Sequence, residues 1–285
     1  MPELPEVETI VRMYGPRLAG RTVREFIAHV PAQVLPDVAT VRARLSGRRI
    51  ERVSRRGKFI VFQLAPAGVL LVHLRMSGRF EWVAPGAAAQ HRHIRAEWQL
   101  DDGARLLFDD ARKFGRIRFC DDSAAFGDRI GVEPLDHAFT VDVLARLLRA
   151  RRRQLKPLLL DQSVVAGLGN IYTDEALWRA QLHPLANSAR LSREQIVELH
   201  AAIRRVLREG IRRNGTSIDW VYPEGRMQNY LKVYGRTGAA CTRCRATIVA
   251  LRVGQRGTHI CPNCQRRSVP GRGRRIAPNR TRSGR

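Results

Sequence analysis

Four cysteines near the C-terminus constrain the fold of this 285-residue chain more strongly than any other feature of its sequence. They form two Cys-x-x-Cys pairs separated by sixteen residues, and they are Cys241, Cys244, Cys261 and Cys264. Each pair can bend around one metal ion, and the segment between the pairs is long enough for a β-hairpin. Four thiolates leave no open coordination position, so the metal would stabilise a ribbon and would not activate water. The sequence therefore predicts one structural Zn²⁺ per chain, and we expect no organic cofactor.

A large excess of basic residues indicates a polyanionic partner. The chain has 51 lysines and arginines against 26 aspartates and glutamates, which gives a formal net charge of +25. Such an excess favours association with a polyanion. The charge alone does not distinguish DNA from RNA or from an anionic membrane surface.

Neither a membrane span nor a secretory signal is predicted. The most apolar stretch, residues 59–74, is interrupted by Gln63, Pro66 and His73 and is too short to cross a bilayer. The N-terminus carries Glu3 where a secretory signal would need a positively charged segment. We therefore expect a cytoplasmic protein. In that reducing compartment, closely spaced cysteines favour metal binding over disulfides.

The N-terminal half is predicted to contain one helix followed by a β-sandwich. Pro5 suits the first turn of a helix whose apolar residues recur at helical spacing, and Gly20 is expected to end it. From about residue 22 to residue 120 the pattern changes to short β-type runs. Residues 59–64 are apolar on both faces, as in a core strand, and Asp102-Gly103 lies between two such runs as a hairpin turn.

The second half reads as helical up to the cysteines. We expect a helix over 143–155, and Ser192 with Gln195 forms a capping box before a second, amphipathic helix. The last twenty residues, 266–285, contain eight arginines and no acidic residue. This composition predicts a disordered basic tail that seeks phosphates.

The N-terminus also has the composition of a nucleophilic site. Removal of Met1 would expose the secondary amine of Pro2, and an α-amino group is partly unprotonated at neutral pH. Such an amine can attack an electrophilic carbon and form an iminium ion, and Glu3 beside it could transfer protons. The same residues also suit an ordinary first helical turn, and the chemistry of the residues alone leaves both readings open.

Short motifs along the whole chain resolve this ambiguity. They include Pro2-Glu3-Leu4-Pro5-Glu6, Arg56-Gly57-Lys58, His73-Leu74-Arg75-Met76-Ser77-Gly78, Asp110-Ala111-Arg112-Lys113-Phe114-Gly115, Lys156-Pro157-Leu158, Gly167-Leu168-Gly169-Asn170, Val233-Tyr234-Gly235-Arg236 and the four cysteines. In order and spacing they resemble the bacterial formamidopyrimidine-DNA glycosylases over about residues 2–265.

The resemblance implies an α+β multidomain fold. Its parts would be an N-terminal helix and β-sandwich (2–130), a helix–two-turn–helix domain (131–228), a zinc ribbon (229–265) and the basic tail (266–285). The family removes oxidised bases and then cuts the abasic strand. The implied partner is duplex DNA with a damaged base or an abasic site. We expect a monomer that is associated with the nucleoid through DNA binding.

The resemblance also assigns catalytic roles. Pro2 would be the nucleophile at the sugar C1′, Glu3 the proton donor, and Glu6 a positioning residue. Lys58 corresponds to the family lysine that serves β-elimination. Arg256 corresponds to the ribbon arginine that grips a phosphate and is linked to δ-elimination.

A further set of residues is implied to bind DNA. Taking a base out of the duplex leaves a void that apolar and planar side chains can fill. The residues that match this void-filling triad are Met76, Arg112 and Phe114. The residues that match phosphate contacts are Asn170, on a Gly-rich turn whose N–H groups suit phosphates, and His91, Arg151 and Lys156.

One segment departs from the family pattern. Only fourteen residues, Asp219 to Lys232, separate two matching motifs, where members that excise 8-oxoguanine carry a longer Gly-rich segment. A shortened base pocket is expected, which would favour ring-opened purines, oxidised pyrimidines or hydantoins. The alternatives are an endonuclease VIII-like enzyme for oxidised pyrimidines and a catalytically silent DNA-damage binder. The joint presence of Pro2, Glu3, Glu6 and Lys58 argues against the silent binder.

Overall fold

Helix α1 (Leu4–Leu18) lies between two separate hydrophobic cores. The computed structural model describes residues 1–90, 92–122, 130–217 and 225–267. Leu4 packs into a helical core, whereas Val7 and Ile10 pack into the core of a β-sandwich. The predicted helix is confirmed, with Pro5 in its first turn and its end two residues before Gly20. The start of α1 is thus held at the boundary between the two cores.

Two sheets and one short helix form the sandwich. The four-stranded sheet has the order β1-β7-β8-β6, and the five-stranded sheet has the order β2-β9-β5-β4-β3. The elements are β1 (Val23–Ala28), β2 (Val34–Leu35), α2 (Val38–Leu45), β3 (Arg49–Arg56), β4 (Phe59–Ala65), β5 (Val69–His73), β6 (Arg79–Val83), β7 (Ile94–Leu100), β8 (Arg105–Asp109) and β9 (Arg116–Cys120). All pairings are antiparallel except that of β2 with β9.

Aromatic rings fill the space between the sheets. Trp98 contacts the rings of Phe26, Phe62 and Phe80 at centroid distances between 5.2 and 6.3 Å. Such burial supplies most of the free energy that holds the sheets together. The predicted core strand is β4, and the predicted hairpin is β7–β8, so both expectations are confirmed.

Within the described residues, four helices that follow the sandwich contribute to the second core, together with Leu4 of α1. They are α3 (Val141–Arg151), α4 (Leu155–Leu160), α5 (Asn170–Arg179) and α6 (Arg193–Arg212). The single helix predicted over 143–155 is wrong at its end, because Arg152 adopts a left-handed conformation with φ of 37° and terminates α3. The predicted capping box is confirmed, since Ser192 and Gln195 bond to each other's backbone N–H groups at the start of α6.

A two-stranded ribbon completes the described chain. Strands β10 (Val249–Val253) and β11 (Arg256–Ile260) form the hairpin expected between the cysteine pairs. The cysteines lie at its base with Trp178 of α5, Val233 and Ile248. Within the described ranges, no helix is both long and apolar enough to cross a membrane. All but two residues of the predicted basic tail lie outside the described residues, and the predicted domain boundaries stay predictions.

Candidate active site

The start of α1 brings two glutamates to the boundary between the cores. Glu3 is the residue before the helix, and its backbone N–H donates to the Glu6 carboxylate at 2.9 Å. Both side chains are almost completely buried. The backbone of Leu4 donates to the carbonyl of Gly167 at 3.0 Å, which ties this turn to the helical domain. The predicted catalytic carboxylates therefore lie where the two domains meet.

The Glu3 carboxylate is bound by the N-terminus of α5. It accepts backbone hydrogen bonds from Gly169 at 2.7 Å, Ile171 at 2.8 Å and Tyr172 at 3.3 Å. The N-terminal end of a helix carries unpaired N–H groups and a partial positive charge, so it favours an anion. From the sequence we assigned the N–H groups of this turn to a DNA phosphate. In the structure they bind Glu3, and the protein's own carboxylate takes the anion site.

Burial raises the pKa of Glu3 to about 7. The positive charge of Lys58 and the backbone hydrogen bonds oppose this effect, whereas the neighbouring Glu6 carboxylate adds to it. A carboxyl group with a pKa near the working pH can donate a proton and later accept one. The electrostatic environment of Glu3 is therefore suited to acid–base chemistry.

Only glycine fits at position 169. A Cβ atom there would lie 2.3 Å from Cδ of Glu3 and 2.5 Å from its Oε1. The N–H of Gly169 can bond to the carboxylate at 2.7 Å because no side chain keeps the two apart. This glycine was recognised in the sequence as part of a phosphate-binding turn, but its function here is close approach to Glu3.

Glu6 is fixed by its own set of donors. It accepts hydrogen bonds from the Tyr172 hydroxyl at 2.9 Å and from the backbone N–H of Thr216 at 2.7 Å. Burial raises the pKa of Glu6. Tyr172 and Thr216 were not selected from the sequence, although Tyr172 lies only two residues after the quoted Gly-Leu-Gly-Asn motif. Through these contacts, Glu6 connects α1 with α5 and with the segment that follows α6.

A cleft of about 740 Å³ opens beside Glu3. Six of the predicted site residues line it: Glu3, Lys58, Met76, Phe114, Asn170 and Arg256. Met1 also lines the cleft, and Pro2 is buried next to it. Arg75, Arg116 and Tyr234 line the same cleft and were not predicted as site residues. Removal of Met1 would free the Pro2 amine at the wall of this cleft.

Lys58 is a buried amine in the cleft. Only 5% of the residue is exposed, and burial lowers the pKa of its ammonium group, while Glu3 and Glu6 oppose that shift. The positive charge of Arg256 lowers the pKa of Lys58 further. A lysine with a lowered pKa is more readily available as a base than an exposed lysine.

Lys156 is enclosed within the protein. Its residue is 0% exposed, and its ammonium donates to Asp174 at 2.6 Å, to the Thr258 hydroxyl at 2.8 Å and to the Gly257 carbonyl at 3.0 Å. The predicted direct contact with a phosphate does not fit this arrangement, because all three donors have partners and none reaches the surface. Lys156 instead attaches the ribbon to the helical domain.

Arg256 is the first residue of β11, a strand that is hydrogen-bonded to the helical domain. Besides Lys156, the side chain of Asn170 donates to the carbonyl of Gly257 at 2.9 Å, and the His259 N–H donates to Asp174 at 2.9 Å. Arg256 itself is exposed in the cleft. The ribbon therefore presents a guanidinium group to the same space as Glu3 and Lys58.

The expected void-filling residues stand together on two adjacent loops. Met76 is 43% exposed and Phe114 is 50% exposed, which is unusual for large apolar side chains. The guanidinium of Arg112 lies 3.6 Å from the Met76 sulfur. Arg151 is exposed at the end of α3 and does not line the cleft. His91 and residues 218–224 lie outside the described residues.

The four cysteines form one compact cluster. Their sulfur atoms all lie within 4.8 Å of one another. A tetrahedral Zn²⁺ with bonds of about 2.3 Å places its sulfurs about 3.8 Å apart, and the Cys244–Cys261 and Cys241–Cys264 sulfurs are 3.4 and 4.0 Å apart. The donor set and its spacing fit a closed structural zinc site, which confirms the metal prediction.

Comparisons with known proteins agree with this geometry. Three family models match in order: the formamidopyrimidine-DNA glycosylase N-terminal domain at residues 1–117, the H2TH domain of the same glycosylase at 130–221, and a zinc finger found in FPG and IleRS at 238–267. Formamidopyrimidine-DNA glycosylase of Chloroflexus aurantiacus is 44% identical over 93% of this chain and 98% of that protein. The corresponding enzyme of Streptococcus pyogenes is 40% identical over 94% and 99%.

Solved structures show the same likeness. MutM in complex with DNA that contains carbocyclic 8-oxo-G has a TM-score of 0.87, with 37% identity over 93% of this chain and 100% of that one. Lactococcus lactis Fpg in complex with DNA that contains an abasic site has a TM-score of 0.86, with 36% identity over the same shares. The predicted fold, with its helix, sandwich, helical domain and ribbon, is confirmed.

Proposed function

This chain belongs to the formamidopyrimidine-DNA glycosylase family, and we propose that it performs the family reaction through a covalent imine at Pro2. It is a DNA glycosylase and abasic-site lyase of base-excision repair. Its partner is DNA that contains a damaged base or an abasic site, and its metal is a structural zinc.

One observation carries the assignment of catalytic residues. A glutamate with a pKa near 7 adjoins the Pro2 position, in the cleft that also contains a buried lysine. Once Met1 is removed, the Pro2 amine attacks C1′ of the damaged nucleotide. The C1′–base bond breaks and the base leaves with a proton; the C1′–O4′ bond then opens, the ring oxygen takes a proton, and an iminium remains at C1′. Protonated Glu3 supplies one of these two protons, and the Pro2 nitrogen, which loses its own, supplies the other. Glu6 holds the first turn of α1 and so fixes the amine relative to the sugar.

Lys58 and Arg256 serve the strand cleavage that follows. The iminium at C1′ makes the C2′ protons acidic, and loss of one of them expels the 3′ phosphate by β-elimination. Lys58 is suited to this proton transfer because its pKa is lowered and it lies in the same cleft. Arg256 grips the remaining phosphate and assists its loss by δ-elimination. Hydrolysis of the imine then regenerates the free amine.

DNA binding uses the exposed parts of the same face. Met76, Arg112 and Phe114 fill the space that the extruded base leaves, and Asn170 contacts a phosphate of the damaged strand. His91 and Arg151 are proposed as further phosphate contacts on the strength of the sequence alone. Binding should weaken steeply with added salt, because each neutralised phosphate releases counterions.

Borohydride trapping tests the proposed imine. Protein without a tag, whose loss of Met1 has been verified by mass, should become covalently attached to a duplex with one abasic site. The matched control is the same chain with a short N-terminal extension, which converts the Pro2 amine to an amide and leaves every side chain in place. Trapping by the extended protein, or no trapping by the free one while it still binds DNA, would refute the role of Pro2.

Lesion preference follows from the short Asp219–Lys232 segment, whose first part lies outside the described residues. We propose that ring-opened purines, oxidised pyrimidines or hydantoins are better substrates than 8-oxoguanine. Excision rates on otherwise identical duplexes test this order, and equally efficient removal of 8-oxoguanine opposite cytosine would contradict it. A preference for oxidised pyrimidines alone would instead favour the endonuclease VIII-like specificity.

We further propose that the enzyme acts as a monomer in the cytoplasm, associated with the nucleoid. Its strong positive charge and its DNA partner support this location. Sedimentation of the free protein and of its complex with a short duplex would test the monomer, and a second copy in either sample would contradict it.

A further inference from the structure

Asp110 is a fully buried carboxylate at the base of the loops that carry Met76, Arg112 and Phe114. It follows β8, and its own backbone is fixed, because its N–H donates to the His93 carbonyl at 3.0 Å and its carbonyl accepts from Arg95 at 2.9 Å. A buried carboxylate is costly unless its oxygens accept several hydrogen bonds. The hydrogen-bond donors to the Asp110 carboxylate show which segments of the chain it connects.

The two carboxylate oxygens of Asp110 bind three segments between them. Oδ1 accepts from the hydroxyl of Ser77, which belongs to the loop between β5 and β6. Oδ2 accepts from the backbone N–H of Gly115 at 2.8 Å and from the side-chain amide of Gln33 at 2.9 Å. The Gln33 amide also donates to the Gly115 carbonyl at 3.2 Å. One carboxylate therefore connects three segments that are distant in sequence.

The Ser77 hydroxyl extends this connection to the exposed residues. It accepts a hydrogen bond from the backbone N–H of Arg112 at 3.3 Å while it donates to Asp110. Ser77 directly follows Met76, and Gly115 directly follows Phe114. The three side chains thus project from backbone that is fixed at Ser77, Arg112 and Gly115.

Packing beneath the loops restricts them further. Added Cβ atoms at Gly78 and Gly115 would lie 2.8 and 2.4 Å from the same buried ring, that of Phe108. Arg75 and Lys113 adopt left-handed conformations with φ of 55° and 59°, which residues other than glycine rarely adopt. Such conformations persist where the surroundings enforce them, and they are frequent at functional sites.

We propose that Asp110 is the positioning residue that holds Met76, Arg112 and Phe114 in their void-filling arrangement before DNA binds. It acts through its hydrogen bonds with Ser77 and Gln33. The proposal rests on the proposed function, which assigns the void-filling role to these three residues. Side chains that are already fixed lose less conformational entropy when the base leaves the stack than side chains on loops that must first become ordered. Loosening the network should therefore slow extrusion of the base and spare the chemistry at C1′.

Two substrates separate these steps. In a duplex with a formamidopyrimidine opposite cytosine, the base must be unstacked before it is removed. The same duplex with an abasic site has no base to unstack. We expect Ser77→Ala to lower the single-turnover rate on the first duplex by about tenfold, which corresponds to the loss of one charge-assisted hydrogen bond. The rate of strand cleavage at the abasic site should change by less than about twofold.

Controls distinguish positioning from general destabilisation. Gln33→Met retains most of the side-chain volume but removes the amide that donates to Asp110, and it should show the same divergence between the two duplexes. Ser46→Ala removes an exposed hydroxyl that donates to the Arg42 carbonyl, and it should change neither rate. Unchanged rates in both test variants, or an equal loss on both duplexes, would overturn the proposal. If the wild-type protein cleaves neither duplex, the proposed function fails and this inference fails with it.

Discussion

Replacing Gly169 by alanine should separate the catalytic acid from the helix that holds it. The added Cβ would lie 2.3 Å from Cδ of Glu3, whereas carbon atoms in contact are about 3.5–4.0 Å apart. Glu3 and the start of α5 must therefore move apart by roughly 1.2 Å or more. Hydrogen bonds of 2.7 and 2.8 Å to Gly169 and Ile171 would then be lengthened to about 4 Å and lost.

Two measurable effects follow from this displacement. A reacting group misplaced by about 1 Å can lower the rate about 100-fold, so we expect a loss of this order in the single-turnover rate of base excision. The lost N–H donors stabilise the charged form of Glu3, so the pKa of Glu3 should rise above its value of about 7. The descending limb of the pH–rate profile should move to higher pH accordingly.

A second glycine substitution provides the control. Gly47 has open space around its Cβ position but a φ of +75°, so Gly47→Ala introduces backbone strain far from the cleft. It should lower stability by about 1 kcal/mol and leave the pH–rate profile unchanged. If Gly169→Ala retains an excision rate within about threefold of the wild type and the same profile, contact with α5 does not position Glu3.

Three further predictions concern stability and the ribbon. Burial raises the pKa of Glu3 from 4.5 to about 7, so the stability that Glu3 contributes is present below pH 4.5 and is lost as the pH rises through 7. Glu3→Gln should therefore raise the free energy of unfolding by up to about 3 kcal/mol at pH 8 and by none at pH 4, as measured in denaturant titrations. Lys156→Met leaves the buried Asp174 charge without its partner and should lower the free energy of unfolding by about 3–5 kcal/mol, whereas the double variant with Asp174→Leu should recover part of this loss. Chelation of zinc should release the ribbon and, with it, Arg256. Gel analysis of abasic-site products should then show β-elimination without δ-elimination, and full δ-elimination by metal-free protein would contradict this.

The sequence was most informative where function depends on local spacing. The cysteine pairs predict the zinc site because two residues between ligands already fix how a loop bends around a metal. The Ser192 capping box likewise predicts the start of α6 from residues three positions apart. Resemblance identified the cleft residues Glu3 and Lys58, which local patterns alone would have left as a helix turn and a strand end.

Contacts between distant segments account for what was missed. Nothing near Lys156 in the sequence shows that its ammonium faces Asp174 and the ribbon, so an exposed phosphate contact was the natural expectation. The Gly-rich turn was correctly interpreted as an anion site, but the anion is Glu3, which is 166 positions away. Arg152 ends α3 by its backbone conformation alone, which a favourable helical pattern did not reveal.

The position of Glu3 links its chemistry to the assembly of the whole protein. The carboxylate directly precedes α1, whereas its three N–H donors lie at the start of α5 in the other domain, Gly169 just before the helix and Ile171 and Tyr172 in its first turn. Burial raises the pKa of Glu3, and the charge of Lys58 together with the backbone donors at the start of α5 opposes that rise, so that the pKa lies at about 7. The same helix holds Asp174 against the ribbon, and Arg243 of the ribbon stacks on Trp178 near its end at 4.3 Å. The proton-donating strength of Glu3 therefore depends on the packing of the sandwich domain, which carries Glu3 and Lys58, against the start of α5 in the helical domain.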